Sequence, residues 1–327
     1  MVPFAYAAAH DVDAAVTHAA RTRGAEFIAG GTDMLQLLEE RVRAPAELID
    51  ISRLPLADID VGPAGARIGA LARMADVADD PGMQELFPVV VQALVASASP
   101  QVRNMATIGG NLLQRTRCLY FRDVATPCNK REPGSGCPAQ DGQNRMNAIL
   151  GGSPHCIAAY AGDLAVALVA LDADVLVTGE QGERTIPVGE LHRMPGDTPE
   201  VETILAPGDL ITGIFIPASA FAAQSHYLKL RDRASFEFAL TSAAVGLDTD
   251  GDTIRQARVA VGGVGTKPWR LPQVEERLVG SRAHADVFHA AAERAADGAE
   301  PRAGNAFKVE LLRRTVERAL RTVAGIP

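Results

Sequence analysis

Ala106-Thr107-Ile108-Gly109-Gly110-Asn111-Leu112 opens the stretch on which the reading of this chain turns. Thr107 to Asn111 reads as a glycine turn, where backbone N–H groups can approach a phosphate with no side chain in the way. A basic, turn-rich loop follows and carries Cys118, Cys128, Cys137 and Cys156, the only four cysteines in 327 residues. Between Gln114 and Leu150 hydrophobic periodicity disappears. Pro127, Pro133, Gly134, Gly136, Pro138 and Gly142 break it, and Arg115, Arg117, Arg122, Lys130 and Arg131 make it basic. An ordered loop of this length without regular structure is uncommon in a compact domain. Rich in glycine, proline and charge, it is expected to bury little apolar surface, so its order has to come from elsewhere. Four thiolates on one metal group would supply it.

The spacing C-x9-C-x8-C-x18-C matches neither the paired C-x2-C units of zinc knuckles nor the compact run of bacterial ferredoxins. From the residues alone three readings stay open: an iron–sulfur cluster, a zinc ion, or unliganded thiols. Four cysteines in a chain of this size do not make a disulfide framework. His155 beside Cys156 reads as a surface residue, and the basic run fits a thiolate cluster, a docking surface or a solvated face.

Upstream, Asp11 to Arg23 has the apolar spacing of a helix (Val12, Val16, Ala20) and ends at Gly24. Glu26 to Ala29 is a short strand, Gly30-Gly31-Thr32-Asp33 a tight turn, and Met34 to Val42 a helix with Leu35, Leu38 and Val42 on one face. Strand, glycine pair, helix is a layout that forms an anion-binding concavity, although a plain strand-to-helix turn has the same pattern. Two such glycine segments can grip both phosphates of a pyrophosphate. Neither has the G-x-G-x-x-G spacing of a Rossmann domain, which argues against that fold. Strands are expected at 48–51 and 67–70, and a helix over 86–96. Downstream, strands are expected at 174–178, 211–216, 226–231, 242–247 and 257–261. Gly262 to Gly265 reads as a bend, and helices are expected at 272–278, 285–296 and 306–323.

Hydrophobic residues make up 47% and charged residues 22%, as in ordinary globular domains, and the net charge of −8 speaks against a nucleic-acid partner. No apolar run approaches membrane-spanning length. The first residues lack a basic segment followed by an apolar one, so no export signal of its own is expected. The seven histidines are scattered, with no His-x-x-Glu-His or similar cluster.

Taken together, Phe27-Ile28-Ala29-Gly30-Gly31-Thr32-Asp33-Met34 and Arg103 to Leu112 resemble the two pyrophosphate segments of the FAD-binding medium subunit of molybdenum hydroxylases, the xanthine dehydrogenase and carbon monoxide dehydrogenase group. Ile68 to Ala70, Gly162-Asp163-Leu164, Ala170 to Ala173, Tyr227-Leu228-Lys229, Lys267 to Arg270, Glu275 and Leu278 match that pattern too. The resemblance implies an α+β fold: a vanillyl-alcohol-oxidase (PCMH)-type FAD domain over 1–220, in subdomains 1–55 and 56–220, then a smaller α+β domain over 221–327. It also implies that Phe27 to Met34 with Thr107, Gly109, Gly110 and Asn111 bind FAD, with Asp163 and Lys229 near the flavin nucleotide. For the last two, a helix N-cap and a solvated strand residue are the plain alternatives. The cysteine insertion, about 114–156, resembles that of the flavin subunits of 4-hydroxybenzoyl-CoA reductase and of bacterial periplasmic aldehyde oxidoreductases, the latter most. This implies a [4Fe-4S] cluster on Cys118, Cys128, Cys137 and Cys156.

The function so implied is an electron-transfer subunit with no catalytic acid, base or nucleophile of its own. Its partners would be a large molybdenum-cofactor subunit and a small subunit with two [2Fe-2S] clusters, and FAD would pass electrons to an external acceptor. The compartment is expected to be cytoplasmic, or periplasmic by co-export with a partner bearing a twin-arginine signal. A self-contained flavoprotein oxidoreductase of the same fold and a zinc-stabilised interaction module are the rival readings.

Overall fold

Ala5–Ala8 (β1), Ala25–Ile28 (β2) and Glu47–Asp50 (β3) pair in parallel, in the order β1-β3-β2. Parallel neighbours need a crossover, and helix Val12–Arg21 supplies the one between β1 and β2. Asp11 caps that helix by accepting the Ala14 N–H at 2.7 Å, and Ala15, Val16 and Ala19 face the core shared with Ile49. The computed structural model describes residues 2–327.

Five antiparallel strands make the second sheet: Ile59–Gly62 (β4), Gly65–Gly69 (β5), Asp174–Gly179 (β6), Gly182–Pro187 (β7) and Leu210–Pro217 (β8), in the order β4-β5-β8-β6-β7. Val175 and Val177 of β6 alternate inward as a half-buried strand requires. The third sheet is Ser225–Leu230 (β9), Thr241–Asp250 (β10), Thr253–Gly262 (β11) and Trp269–Arg270 (β12), in the order β12-β11-β10-β9, again antiparallel.

Helix Leu164–Ala170 is buried at every position because it packs on β10 and β11 and is covered by other helices, among them Pro88–Ala96. An element hydrophobic all round needs packing on all sides. Helix Phe307–Val323 covers β9 and β10 with a stripe of Leu312, Thr315, Val316, Ala319 and Leu320, the i, i+3, i+4 spacing of one helical face. No helix among the described residues is long and apolar enough to cross a membrane.

Several expectations need correction. The expected helix over 86–96 is two helices, Pro81–Leu86 and Pro88–Ala96, broken at Phe87, whose φ of −135° and ψ of 52° follow from the clash that a proline imposes on the residue before it. The helix after the first glycine pair stops at Glu39, and its buried face is Leu37 and Leu38, whereas Leu35 is exposed. The second glycine pair is not a turn: Ile108–Leu112 is a short helix capped by Thr107, whose Oγ1 accepts the Gly110 N–H at 3.3 Å.

The cysteine loop is likewise less bare than expected. Buried Phe121 and Ala139 pack within it, and Asn129, Asn144 and Asn147 are buried with hydrogen-bond partners. Satisfied polar burial thus contributes to holding this segment alongside its buried apolar side chains.

Candidate functional site

The two glycine segments meet back to back. A Cβ on Gly30 would lie 1.9 Å from the Met105 carbonyl oxygen, and one on Gly109 would lie 3.0 Å from the Ala70 Cβ. Glycine at 30 is therefore a requirement of close approach between the segments, and at 109 of packing on the end of β5. Gly31 has φ +69°, a left-handed conformation that glycine adopts without strain. Gly110 differs: it is exposed, and a Cβ there would meet only Thr107 Oγ1, at 3.0 Å.

Among the described residues the N–H groups of Gly31, Thr32 and Asp33 donate to no protein acceptor. Successive free amides at a strand-to-helix turn make an anion-binding concavity. On the second glycine segment, the Asn111 Oδ1 atom is buried without a partner, while its Nδ2 lies 3.3 Å from Met74 Sδ. Free donors and an open glycine fit a phosphate, and the orphaned Asn111 oxygen fits a ligand hydroxyl that donates to it, both of which FAD carries. The Asp33 carboxylate does not cap its own helix. Its Oδ2 accepts the Arg115 N–H at 2.8 Å, and its Oδ1 lies 2.8 Å from guanidinium nitrogens of Arg117 and Arg122.

Asp163 and Lys229, distant in sequence, form an ion pair of 2.8 Å with side chains only 6% and 3% exposed. Asp163 Oδ1 accepts the Tyr227 hydroxyl at 2.6 Å, and Ser97 Oγ lies 2.8 Å from Oδ2. Lys229 also donates to the Ala96 carbonyl at 3.2 Å. Neither plain alternative holds: Asp163 stands at the N-cap position but makes no cap bond, and Lys229 is not solvated. Burial, and after it the neighbouring Asp163 carboxylate, push the Tyr227 hydroxyl far above its usual range. A buried pair of this kind fixes geometry more than it adds stability.

All four cysteines line one narrow recess together with Lys130 and Asn147. Among the described residues no group of three or more His, Cys, Asp or Glu is drawn together as ligands of a single metal ion. The thiols stand around the recess instead. Asn147 Nδ2 donates to Cys118 Sγ at 3.5 Å and the Ala158 N–H to Cys156 Sγ at 3.4 Å, the kind of contact that thiolate ligands of a cluster accept. Cys128 and Cys118 pack with Leu37, Val42 and Phe121, so the loop sits directly on the helix of the first glycine segment. In the metal-free protein burial pushes the Cys156 thiol up to about 12, with Lys130 opposing, and raises Cys137 as well. Binding a metal group must then displace these protons. Soft donors converging on one recess fit an iron–sulfur cluster.

Residues without a sequence signal complete the surroundings. Lys308, fully buried, donates to the carbonyls of Asn147 and Gly263 at 3.1 and 2.7 Å, and burial pulls its ammonium down to about 7. Asn305 Nδ2 reaches the Asn147 and Ala148 carbonyls, both at 3.3 Å, which ties the end of the cysteine loop to the C-terminal helix.

His192 Nε2 lies 2.9 Å from the Leu112 carbonyl oxygen, so Nε2 carries the proton and buried Nδ1 is left bare. Burial holds this imidazole down to about 4, against about 6.5 when unfolded. The unfolded chain therefore binds the proton more tightly between those values. The stability tied to neutral His192 is whole above pH about 6.5 and is lost as pH falls toward 4, by on the order of 3 kcal/mol. Urea midpoints between pH 7 and 4.5 should fall less steeply for His192→Gln than for the native chain. Parallel slopes would refute the assignment.

Comparison with known proteins identifies the family and the fold. A family model described as the FAD binding domain in molybdopterin dehydrogenase matches residues 2–219, and one described as the CO dehydrogenase flavoprotein C-terminal domain matches residues 196–323. The chain is 43% identical to the aldehyde oxidoreductase FAD-binding subunit PaoB of Escherichia coli (strain K12), covering 98% of each chain. It is 26% identical to the carbon monoxide dehydrogenase medium chain of Hydrogenophaga pseudoflava over 90% of this chain and 88% of that one. The structure of carbon monoxide dehydrogenase from Hydrogenophaga pseudoflava that lacks the Mo-pyranopterin moiety superposes with a TM-score of 0.77, covering 99% of each chain. Quinoline 2-oxidoreductase from Pseudomonas putida 86, at 22% identity, shares the fold with a TM-score of 0.77, covering 99% of this chain and 98% of that one. The fold is thus a PCMH-type FAD-binding domain followed by the flavoprotein C-terminal domain, and the chain belongs to the FAD-binding medium subunits of the molybdenum hydroxylase family.

Proposed function

We propose that this chain is the FAD- and [4Fe-4S]-binding electron-transfer subunit of a heterotrimeric molybdenum-containing aldehyde oxidoreductase. The observation that carries the cluster is the convergence of all four cysteines on one recess seated on the first glycine helix. The aldehyde assignment rests on the 43% identity to an aldehyde oxidoreductase subunit along nearly the whole chain.

Within this reading the free N–H groups of Gly31 to Asp33 hold the FAD pyrophosphate. The Thr107-capped helix, with Gly109, Gly110 and Asn111, forms the opposite wall of the cradle. Phe27 to Gly30 and Met34 position that turn from either side. Asp163 and Lys229, locked by Tyr227 and Ser97, form a buried, preorganised ion pair that would stand near the flavin nucleotide. When bound, FAD supplies a two-electron carrier between the [2Fe-2S] clusters of a small partner subunit and an external acceptor. Cys118, Cys128, Cys137 and Cys156 hold the cluster, whose first role is to fix the loop. The substrate is oxidised on a large molybdenum-cofactor partner, and no side chain here acts on it as acid, base or nucleophile. The FAD-binding part spans 1–220 and the C-terminal domain 221–327.

Co-expression with the neighbouring reading frames tests this. The chain should purify with two further subunits, show flavin bands over a broad cluster shoulder, and oxidise aldehydes only in the assembled complex. Robust turnover by the isolated chain would favour a self-contained flavoprotein. A colourless protein with zinc would favour an interaction module.

A further inference from the structure

Asp33 occupies the N-cap position of helix Met34–Glu39, a position where aspartate commonly bonds its own helix, yet it makes no such bond. Its carboxylate is committed to the cysteine loop instead, through the Arg115 N–H and the guanidinium groups of Arg117 and Arg122, each at 2.8 Å. The same arginines brace the rest of that helix: Arg117 donates to Gln36 Oε1 at 3.1 Å and Arg122 lies 3.4 Å from Glu40 Oε2. Arg122 is itself fixed by donating to the Thr116 carbonyl at 3.0 Å. Cys118 lies between these arginines in sequence. Beneath the polar contacts, Leu37 and Val42 pack on Phe121 and Cys128.

The charge balance gives this arrangement a consequence. A lone carboxylate one residue past the free amides of Gly31 and Thr32 would repel a pyrophosphate, because like charges this close disfavour each other strongly where water is partly excluded. Two guanidinium groups on Asp33 reverse the local sign. They come from the loop that carries the cysteines of the thiol recess.

We propose that Asp33 is a positioning residue that couples the thiol site to the phosphate cradle. With the loop in place its arginines neutralise Asp33 and hold the glycine turn open to an anion. With the loop loosened they withdraw and leave an uncompensated carboxylate beside the anion site. The coupling rests on the reading of the four thiols as cluster ligands and of the glycine turn as the FAD cradle. By linkage, FAD must strengthen retention of the metal group by the same factor that the metal group strengthens FAD.

A double-mutant cycle on the full chain in its complex tests this, with the FAD dissociation constant of deflavinated protein as the readout. Cys137→Ser should weaken FAD by about tenfold in the native background, within the usual range of a coupling between sites. In an Asp33→Asn background, where no carboxylate is left to unmask, the same change should weaken FAD less than about twofold. Equal weakening in both backgrounds would overturn the coupling. Should Asp33→Asn fail to fold, Arg117→Met with Arg122→Met takes its place. That pair should weaken FAD while iron is retained, and an unchanged FAD constant would overturn the proposal. Iron and acid-labile sulfide on the native complex, counted beyond those of the partner's two [2Fe-2S] clusters, keep the two readings apart. Their absence overturns the cluster reading and the coupling with it, whereas iron present with equal weakening overturns the coupling alone.

Discussion

Replacing Cys128 with serine is expected to remove about four iron atoms per chain, leaving the purified complex with only the iron of its small partner subunit's two [2Fe-2S] clusters. The substitution removes one ligand of four while keeping nearly the same volume, so packing with Leu37, Val42, Phe121 and Cys118 survives in shape. A serine oxygen is a hard donor and stays protonated near neutrality, which makes it a poor ligand for an iron–sulfur cluster. The loop then keeps its internal bonds, such as the Cys128 N–H to Ser135 Oγ at 2.9 Å and the Gly136 N–H to Asn129 Oδ1 at 2.7 Å. What it loses is the link that joins both halves of the loop to Cys156, and long loops without such links open readily. Limited proteolysis should therefore cut between 119 and 145 in the variant and spare the native complex, and the yield of complex should fall. A native protein that carries zinc in place of iron would sink the claim. So would a variant that lacks these four irons yet stays protease-resistant and fully active.

The elements most legible in the sequence are those whose pattern is local. Pro272–Leu278 and Phe307–Val323 follow from apolar residues at helical spacing, and the Gly179 to Gly182 turn from its flanking strands. Less visible are elements decided by distant partners. β1 is largely alanine, a weak strand former, and exists because β3 offers it a parallel edge. The Ile108–Leu112 helix carries two glycines, which disfavour helices, and forms because Thr107 caps it and Ala70 receives Gly109.

The site divides in the same way. Glycine pairs and clustered cysteines are legible as motifs. The carboxylate of Asp33, however, turns away from its own turn to arginines more than 80 residues later in the chain. Lys229 looks like a solvated strand residue until Asp163 is placed opposite it. His192 has no sequence signal at all, since only the fold brings its ring to the Leu112 carbonyl.

Gly110→Val is expected to abolish FAD retention while the fold and the iron survive, and the contrast with Gly30 explains why. A Cβ at Gly30 collides with the Met105 carbonyl, backbone that cannot give way, so Gly30→Ala should disrupt the junction of the two glycine segments and reduce soluble protein. Gly31 is a mixed case, because its φ of +69° would strain any side chain whatever binds nearby. Gly110 is free of both problems. Its surface is exposed, its Cβ would meet only Thr107 Oγ1, and it lies in a helix, where valine is no worse than glycine. A branched side chain there would project into the space that a pyrophosphate needs. FAD affinity should fall roughly a hundredfold or more, about 3 kcal/mol, with circular dichroism and iron content unchanged. Full flavin occupancy in a folded Gly110→Val protein would show that the second glycine segment does not line the phosphate site, and the cradle would then have to be built from Gly31 to Asp33 alone.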